Sequence, residues 1–343
     1  MEKTIFGRTG LSVSRTSFGC IPIQRISYEE STALLRHAYE QGVTLYDTAN
    51  AYTTSEERIG IALNHVRDKI VLCTKSFPLT PEGIIKNLEN SLKMLQTDYI
   101  DVFQVHCPPF IPRPGGDDGI YDCLVKAKEQ GKIRHIGITA HKKDLALEAV
   151  LSGLYDVLQY PFSYLSAEEE LALIPLCREH NIGLLGMKAL CGGILTNAKA
   201  AFAFLRQYEN VIPIWGIQKM SELEEILAYE QSLPVLDDSL QKAIEADKAE
   251  LAGHFCRACG YCLPCPADIP IPMAARMGFL LGRMVKENLM TEEWQTNMRR
   301  IDNCVDCGHC KANCPYELDV PTLLRNQSTI YFKEVESCAI TKK

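Results

Sequence analysis

The chain has 343 residues, of which 46% are hydrophobic and 23% charged, an ordinary composition for a globular protein. Its formal net charge is −7 and no block of basic residues is present, so we expect no nucleic-acid partner. No apolar run approaches the roughly 18 residues of a membrane-spanning helix, so we expect no membrane association. The amino-terminus lacks a basic stretch followed by an apolar one, which indicates a cytoplasmic protein.

Short apolar stretches alternate with amphipathic stretches between residues 13 and 230. The predicted strands cover residues 13–19, 43–47, 69–75, 99–106, 133–139, 155–160, 182–188 and 211–216. The stretches between them have helical periodicity, with helix-start signals at Ser55 and Pro81. Eight such repeats predict a parallel (β/α)8 TIM barrel. A doubly wound open sheet is the alternative, but no G-x-G-x-x-G motif follows the first strand.

The remaining residues predict a second, smaller domain. We expect the barrel to occupy residues 1–232, a charged connector residues 233–255, and a mainly helical domain residues 256–343. A helix is predicted in the connector from Asp238 to Ala252, and residues 272–300 also have a helical pattern. Three methionines of that stretch are expected to pack in the core of the small domain, namely Met273, Met277 and Met284.

Eight of the fifteen cysteines form two runs in this C-terminal region. The first run contains Cys256, Cys259, Cys262 and Cys265, and the second contains Cys304, Cys307, Cys310 and Cys314. The second run matches the ferredoxin pattern C-x2-C-x2-C-x3-C-P, whereas the first is one residue shorter before its last cysteine. The spacing predicts two [4Fe–4S] clusters in a ferredoxin-like iron–sulfur domain.

In this pattern three neighbouring thiolates bind one cluster and the fourth cysteine binds the other. One cluster would therefore take Cys256, Cys259, Cys262 and Cys314, and the other Cys304, Cys307, Cys310 and Cys265. A single cluster, structural zinc and disulfides are the alternatives. Zinc ribbons place two thiols at each of two separated knuckles, and disulfides are rare in a reducing compartment.

Polar side chains follow three adjacent strands of the predicted barrel. Asp47 ends the second predicted strand and Tyr52 follows it, Lys75 ends the third, and His106 ends the fourth. Each alone has an ordinary structural explanation, but the carboxyl ends of barrel strands meet at one face, where catalytic groups gather. We therefore expect these four side chains to converge on one site.

This combination suits proton delivery to a carbonyl oxygen. A tyrosine hydroxyl has a pKa of about 10, which a nearby ammonium lowers. We expect Tyr52 to be the acid, Lys75 to lower its pKa, and Asp47 to hold Lys75. His106 would orient the carbonyl oxygen. A nicotinamide cofactor is the expected source of hydride.

These residues resemble the aldo-keto reductase family, and the resemblance covers about residues 3–232. It is carried by LYDTANAY, LCTK, YIDVFQVH, GKIRHIGIT and VLQYPFSYL, and the tail looks like the ferredoxin-type domain of a subset of that family. The resemblance implies reduction of an aldehyde or ketone with NADP(H) or NAD(H). The positions it implies for the cofactor are Gly19, Cys20, Thr139, Gln159, Met187, Lys188, Gly216 and Glu225. Met187 replaces the usual aromatic residue, and the segment after the last strand lacks the expected lysine and arginine.

Three functions remain open from the sequence. The first is an enzyme acting on a small carbonyl or alcohol substrate. The second is a redox module that passes electrons between the barrel site and a partner protein through the clusters. The third is a binding protein that has lost catalysis, which the complete set of four polar residues disfavours. Nicotinamide transfers two electrons at once whereas each cluster takes one, and we recognise no flavin motif to join the two.

Overall fold

The computed structural model describes residues 1–251, 255–283 and 286–340. Two compact units are formed: the first comprises Met1–Ala189 and Ala198–Leu240, and the second comprises Leu190–Asn197 and Gln241–Lys343. The sequence-based boundaries at residues 232 and 255 stay a prediction. Within the described residues, every helix is too short or too polar to cross a bilayer.

The first unit is built around a closed barrel of eight parallel strands. They are β3 (Ser17–Gly19), β4 (Leu45–Asp47), β5 (Val71–Ser76), β6 (Ile100–His106), β7 (Ile133–Thr139), β8 (Val157–Pro161), β9 (Gly183–Met187) and β10 (Val211–Gly216). They pair in chain order, and β10 closes the barrel against β3. The predicted (β/α)8 barrel is confirmed.

The helices of this unit follow the predicted ones closely. They are α1 (Tyr28–Glu40), α2 (Ser55–Leu63), α3 (Pro81–Leu95), α4 (Ile120–Glu129), α5 (Lys143–Ser152), α6 (Glu168–Leu171), α7 (Leu173–Glu179), α8 (Ala198–Arg206) and α9 (Met220–Gln231). The start signals at Ser55 and Pro81 are confirmed, and the Thr80 hydroxyl caps α3 by accepting from the Gly83 amide. The helical stretch between the predicted strands 155–160 and 182–188 is divided into α6 and α7.

A hairpin of β1 (Lys3–Ile5) and β2 (Ser12–Ser14), which was not predicted, precedes the barrel. The single strand predicted over residues 13–19 is divided between β2 and β3. Its buried Phe6 and Val13 belong to the same apolar cluster as residues of the barrel strands. Gly7, at φ +53°, permits this approach, because a Cβ there would lie 2.2 Å from the Gly183 nitrogen. The hairpin therefore adds apolar contacts to the barrel interior.

The second unit is mainly helical. Its helices are α10 (Asp238–Glu250), most of which lies in this unit, α11 (Ile271–Ala274), α12 (Met277–Arg283), α13 (Glu292–Arg299), α14 (His309–Ala312) and α15 (Val320–Ile340). The predicted end of α10 at Ala252 lies outside the described residues, and α15 was not predicted.

An apolar cluster joins helices α11 to α15 of the second unit. Met277 and Tyr331 are fully buried in it, and Met273 packs against its edge. The Tyr331 hydroxyl donates to the Leu289 carbonyl at 2.8 Å, so this buried polar group is satisfied. Met284 lies outside the described residues.

Candidate active site and cysteine-lined cavities

A buried ion pair lies at the ends of β4 and β5. The Lys75 ammonium donates to both carboxylate oxygens of Asp47, at 2.7 and 2.6 Å, and to the Thr48 carbonyl at 2.7 Å. The side chains are 1% and 5% exposed. Burial is the largest single effect and would lower the pKa of Lys75, but the charge of Asp47, its hydrogen bonds and the neighbouring Tyr52 together outweigh burial, and the pKa is raised. Lys75 is therefore an ammonium at neutral pH.

Tyr52 and His106 lie beside this pair. The Lys75 nitrogen is 5.4 Å from the centroid of the Tyr52 ring. The Tyr52 and His106 rings meet edge to face, with centroids 6.1 Å apart. A turn places Tyr52, since its amide donates to the Ala49 carbonyl at 2.9 Å. The structure thus brings together all four residues expected to converge.

The acidity of Tyr52 differs from the expectation. Its side chain is partly accessible, yet burial of the hydroxyl raises the pKa of Tyr52 to about 12. Lys75 lowers the pKa as predicted, but this effect is smaller than that of burial, and Asp47 acts in the opposite direction. The expected net lowering is therefore wrong, because desolvation of a phenolate outweighs one nearby ammonium that is already paired.

His106 is neutral in this environment. Burial, and then the positive charges of Lys75 and Lys188, hold the pKa of His106 well below its ordinary value. Its Nδ1 is buried without a hydrogen-bond partner. The Phe77 ring stacks on the imidazole, with centroids 3.8 Å apart and planes at 16°, while remaining 51% exposed. Phe77 was not among the predicted residues, although it stands two positions after Lys75.

Two glutamines join the ion pair from neighbouring strands. Gln159, at β8, donates to Asp47 Oδ2 at 3.3 Å. Gln104, at β6, donates to Gln159 Oε1 at 3.0 Å and to Asp47 Oδ1 at 3.5 Å. Gln159 was among the predicted residues, whereas Gln104 was not. The signal was available, because side chains two apart on a strand share a face and Gln104 is two residues before His106.

Other predicted cofactor positions lie at the same ends of the strands. Cys20 is buried, and its amide donates to the Asp47 carbonyl at 2.9 Å. The Thr139 hydroxyl accepts from the Cys107 amide at 2.8 Å. Gly19 and Gly216 are register partners of β3 and β10. Met187 ends β9, and Lys188 follows it with φ +60°.

Glu225 is placed differently. It is exposed on α9, where its carboxylate accepts from the Tyr229 hydroxyl at 2.7 Å, so it is engaged within its own helix. Glu222 instead accepts from the Gln218 and Lys219 amides, at 2.9 and 3.2 Å, and caps α9. Free amides at a helix start are a common phosphate site. Here the Glu222 carboxylate already lies at this helix start, bound to the amides of the N-cap Lys219 and of Gln218 before it.

Two small cavities of about 20 Å³ each in the second unit are lined by cysteines. Cysteines 262, 265, 304, 307 and 310 line the first, and cysteines 256, 259, 262, 310 and 314 line the second. The last cysteine of each run thus faces the cavity of the other run. Among the described residues, no three His, Cys, Asp or Glu side chains gather tightly enough to hold one metal ion. The thiols are instead distributed around two cavities.

Comparison with known proteins agrees with both units. A profile of the Aldo/keto reductase family matches residues 16–201, and one of the 4Fe-4S dicluster domain matches residues 255–319. The chain is 32% identical over 217 residues to Aldo-keto reductase YhdN of Bacillus subtilis (strain 168), a match that covers 57% of this chain and 64% of that protein. It is 30% identical over 219 residues to L-galactose dehydrogenase of Arabidopsis thaliana, covering 57% and 67% of the two chains.

A solved structure of an aldo-keto reductase from Klebsiella pneumoniae in complex with NADPH has the same fold. The TM-score is 0.63 at 22% identity, and the match covers 72% of this chain and 95% of that one. The chain spans less than two thirds of the Bacillus subtilis relative. Because the first profile covers more than half of the 343 residues, this chain belongs to the Aldo/keto reductase family, with a 4Fe-4S dicluster domain following its barrel.

Proposed function

We propose that the barrel is an oxidoreductase that reduces an aldehyde or ketone, or oxidises the corresponding alcohol, with NADPH or NADH. The observation that carries this proposal is the buried Asp47–Lys75 ion pair beside Tyr52 and His106 at one end of the barrel. The family membership supports the same reaction class. The substrate is a small carbonyl or alcohol compound.

In this reaction Tyr52 donates its hydroxyl proton to the carbonyl oxygen. The Lys75 ammonium stabilises the phenolate left behind, and Asp47 keeps Lys75 in place through two short hydrogen bonds. Neutral His106 donates a hydrogen bond to the same oxygen and holds it towards Tyr52. A bound reduced nicotinamide would supply the hydride that completes the reduction.

The strand ends offer suitable groups for a dinucleotide. Gln159 and Thr139 provide an amide and a hydroxyl, and the register of β7 and β8 pairs them side by side. Met187 offers an apolar surface, and the charge of Lys188 reaches His106 and can attract phosphate. Since the negative charge of Glu222 lies at the start of α9 and repels an anion, we assign a phosphate contact to Lys188 rather than to that helix.

We propose that the second unit binds two [4Fe–4S] clusters through the eight cysteines of the two runs. Four thiols of a crossed set line each cavity, and thiolates are the usual ligands of such clusters. The dicluster profile supports this number. Bound clusters would supply one-electron chemistry.

A second candidate function is transfer of electrons between the barrel site and a partner protein through the clusters. The presence of a dicluster domain in the same chain favours it. Anaerobic spectroscopy of the clusters with NADPH or NADH, with and without a carbonyl compound, distinguishes this candidate function from the main proposal. Cluster reduction or oxidation at the rate of turnover would support the redox module. Unchanged clusters during fast carbonyl reduction are the result we expect, and they would limit the clusters to a structural or docking role.

The main proposal is tested with anaerobically purified full-length protein. A panel of aldehydes and ketones is offered with each reduced dinucleotide, and dinucleotide oxidation is followed by absorbance. We expect substrate-dependent oxidation that is lost in Lys75→Met. Absence of turnover with every carbonyl, together with absence of dinucleotide binding, would overturn the proposal.

A further inference from the structure

We propose that Gln104 is a positioning residue of the barrel site, which fixes the amide of Gln159 and the carboxylate of Asp47 in the orientation that receives the dinucleotide. This inference rests on the proposed function, since it explains how that same site is held ready to bind the dinucleotide. Gln104 itself need not touch the substrate or the cofactor.

The contacts of Gln104 connect three strands. Its Nε2 donates to Gln159 Oε1 at 3.0 Å, while Gln159 Nε2 donates to Asp47 Oδ2 at 3.3 Å. Gln104 Nε2 also lies 3.5 Å from Asp47 Oδ1. Because both neighbours present acceptors, the amide of Gln104 has one favoured orientation. That orientation in turn decides which way the amide of Gln159 points.

The position of Gln104 is unfavourable for the stability of the fold. Its side chain is fully buried, and its Oε1 has no hydrogen-bond partner. A buried acceptor without a partner is unfavourable, and an apolar residue would avoid this cost. Such costs are typical of groups kept for function rather than for stability.

The neighbouring strand leaves room for this side chain. Gln104 and Gly137 are register partners on β6 and β7. A Cβ at Gly137 would lie 2.8 Å from Gln104 Cγ, closer than real Cβ contacts come. The glycine thus accommodates the glutamine, and the two positions act as a pair.

The effect on function follows from these bonds. With Gln104 present, Gln159 Oε1 and Nε2 have assigned partners, so one face of its amide is ready for the cofactor. Without the donor from Gln104, Gln159 Oε1 loses its partner and the amide is held only by the bond from its Nε2 to Asp47 Oδ2, while Asp47 loses one of its amide neighbours. Binding would then include the cost of ordering these groups.

The test replaces Gln104 with methionine, which has similar length but cannot donate. Dissociation constants of NADPH and NADH are measured by fluorescence with anaerobic full-length protein carrying its clusters. We expect Gln104→Met to weaken binding of whichever dinucleotide the unaltered protein binds by about tenfold, or about 1.4 kcal/mol. The matched control is Val102→Ala, a fully buried residue of the same strand, which should lower thermal stability without changing the dissociation constant.

A double-mutant cycle identifies the route of the effect. If Gln104 acts through Gln159, Gln104→Met should have little further effect on binding once Gln159→Met is present. Additive effects of the two changes, or unchanged binding in Gln104→Met, would overturn the inference while leaving the proposed function intact. Failure of the unaltered protein to bind either dinucleotide would overturn both.

Discussion

A lysine ammonium enclosed by a carboxylate, a carbonyl and a tyrosine ring defines the barrel site at the scale of single residues. Lys75 has its hydrogen bonds filled by Asp47 and Thr48, so it acts on Tyr52 through its charge at 5.4 Å from the ring centroid. Burial keeps Tyr52 protonated, with a pKa of about 12. Tyr52 is therefore protonated at neutral pH, as a proton donor must be.

Replacement of Tyr52 with phenylalanine removes this proton and keeps most of the packing. We expect turnover to fall by roughly 10²–10⁴-fold, the usual contribution of a positioned acid. Dinucleotide affinity should stay close to that of the unaltered protein. Steady-state kinetics and fluorescence titration measure the two quantities.

The matched control for this substitution is Tyr121→Phe, which removes a hydroxyl that donates to the Leu154 carbonyl in the same unit. It should leave turnover unchanged. Near-normal turnover in Tyr52→Phe would exclude Tyr52 as the donor.

The imidazole of His106 should stay neutral across the physiological pH range. Its folded-state pKa lies well below 6.5, whereas the unfolded chain takes up the proton near about pH 6.5. The unfolded state therefore binds more protons on acidification, and His106 makes the free energy of unfolding decrease as pH falls below that value. NMR of the His106 ring should show no titration between about pH 8 and pH 6. A midpoint near 6.5 would contradict the neutral hydrogen-bond donor.

At the scale of elements, the site depends on how closely adjacent strands approach. The fully buried strands β5 and β6 place Lys75 and Gln104 in register, and β7 contributes Gly137 on the other side. Helix starts are set locally by capping residues, as at Thr80. Strand pairing, in contrast, sets which residues of adjacent strands lie side by side in the site.

Substitution of Gly137 with alanine should disturb this arrangement. The added methyl would press on Gln104 Cγ, and we expect the free energy of unfolding to fall by about 1–3 kcal/mol, the usual cost of overpacking. Gly216→Ala is the comparison, because its nearest new neighbour would be Pro22 at 3.2 Å. Chemical denaturation of both variants measures the difference. Equal stability of the two would contradict the close fit at Gly137.

At the scale of the whole molecule, the chain joins an aldo/keto reductase barrel to a 4Fe-4S dicluster domain. Each of the two units has a buried core of its own. In the second unit Cys265 of the first run lines the cavity of the second run, and Cys314 of the second run lines the cavity of the first. With clusters bound as proposed, each cluster would be ligated by cysteines of both runs.

Iron content tests the crossed ligation. The unaltered protein purified anaerobically should carry about eight irons and eight sulfides. Cys314→Ser should reduce this to about four, and adding Cys256→Ser should cause no further loss, because both ligate one cluster. Adding Cys304→Ser to Cys314→Ser should remove the second cluster as well. The reverse pattern would show that each run binds its own cluster, and zinc without sulfide would exclude clusters.

The connector over residues 233–255 is proposed as the boundary between two domains. Leu233 and Val235 are 48% and 77% exposed, which makes the backbone there accessible to proteases. Limited proteolysis followed by mass spectrometry should find early cleavage within this range and two resistant fragments. Early cleavage inside the barrel strands would contradict the boundary.

Local patterns were enough to determine the eight strand–helix repeats and to name the four residues that the barrel brings together, because periodicity reports which face of each element is buried. The crossed cysteine sets, which rest on the spacing of the two runs, stay a prediction. The hairpin β1–β2 was not predicted, because the single strand predicted over residues 13–19 joined part of β2 to β3.

Tertiary structure decided the pKa values and the side-chain contacts, which depend on residues distant in sequence. The pKa of Tyr52 is raised because burial by many elements exceeds the effect of Lys75. Phe77 lies on His106, and Gln104 joins Gln159 to Asp47, only because barrel closure brings separate strand ends within contact distance. The sequence by itself determined which chemical groups this site contains, while desolvation and strand register determined their protonation and their partners.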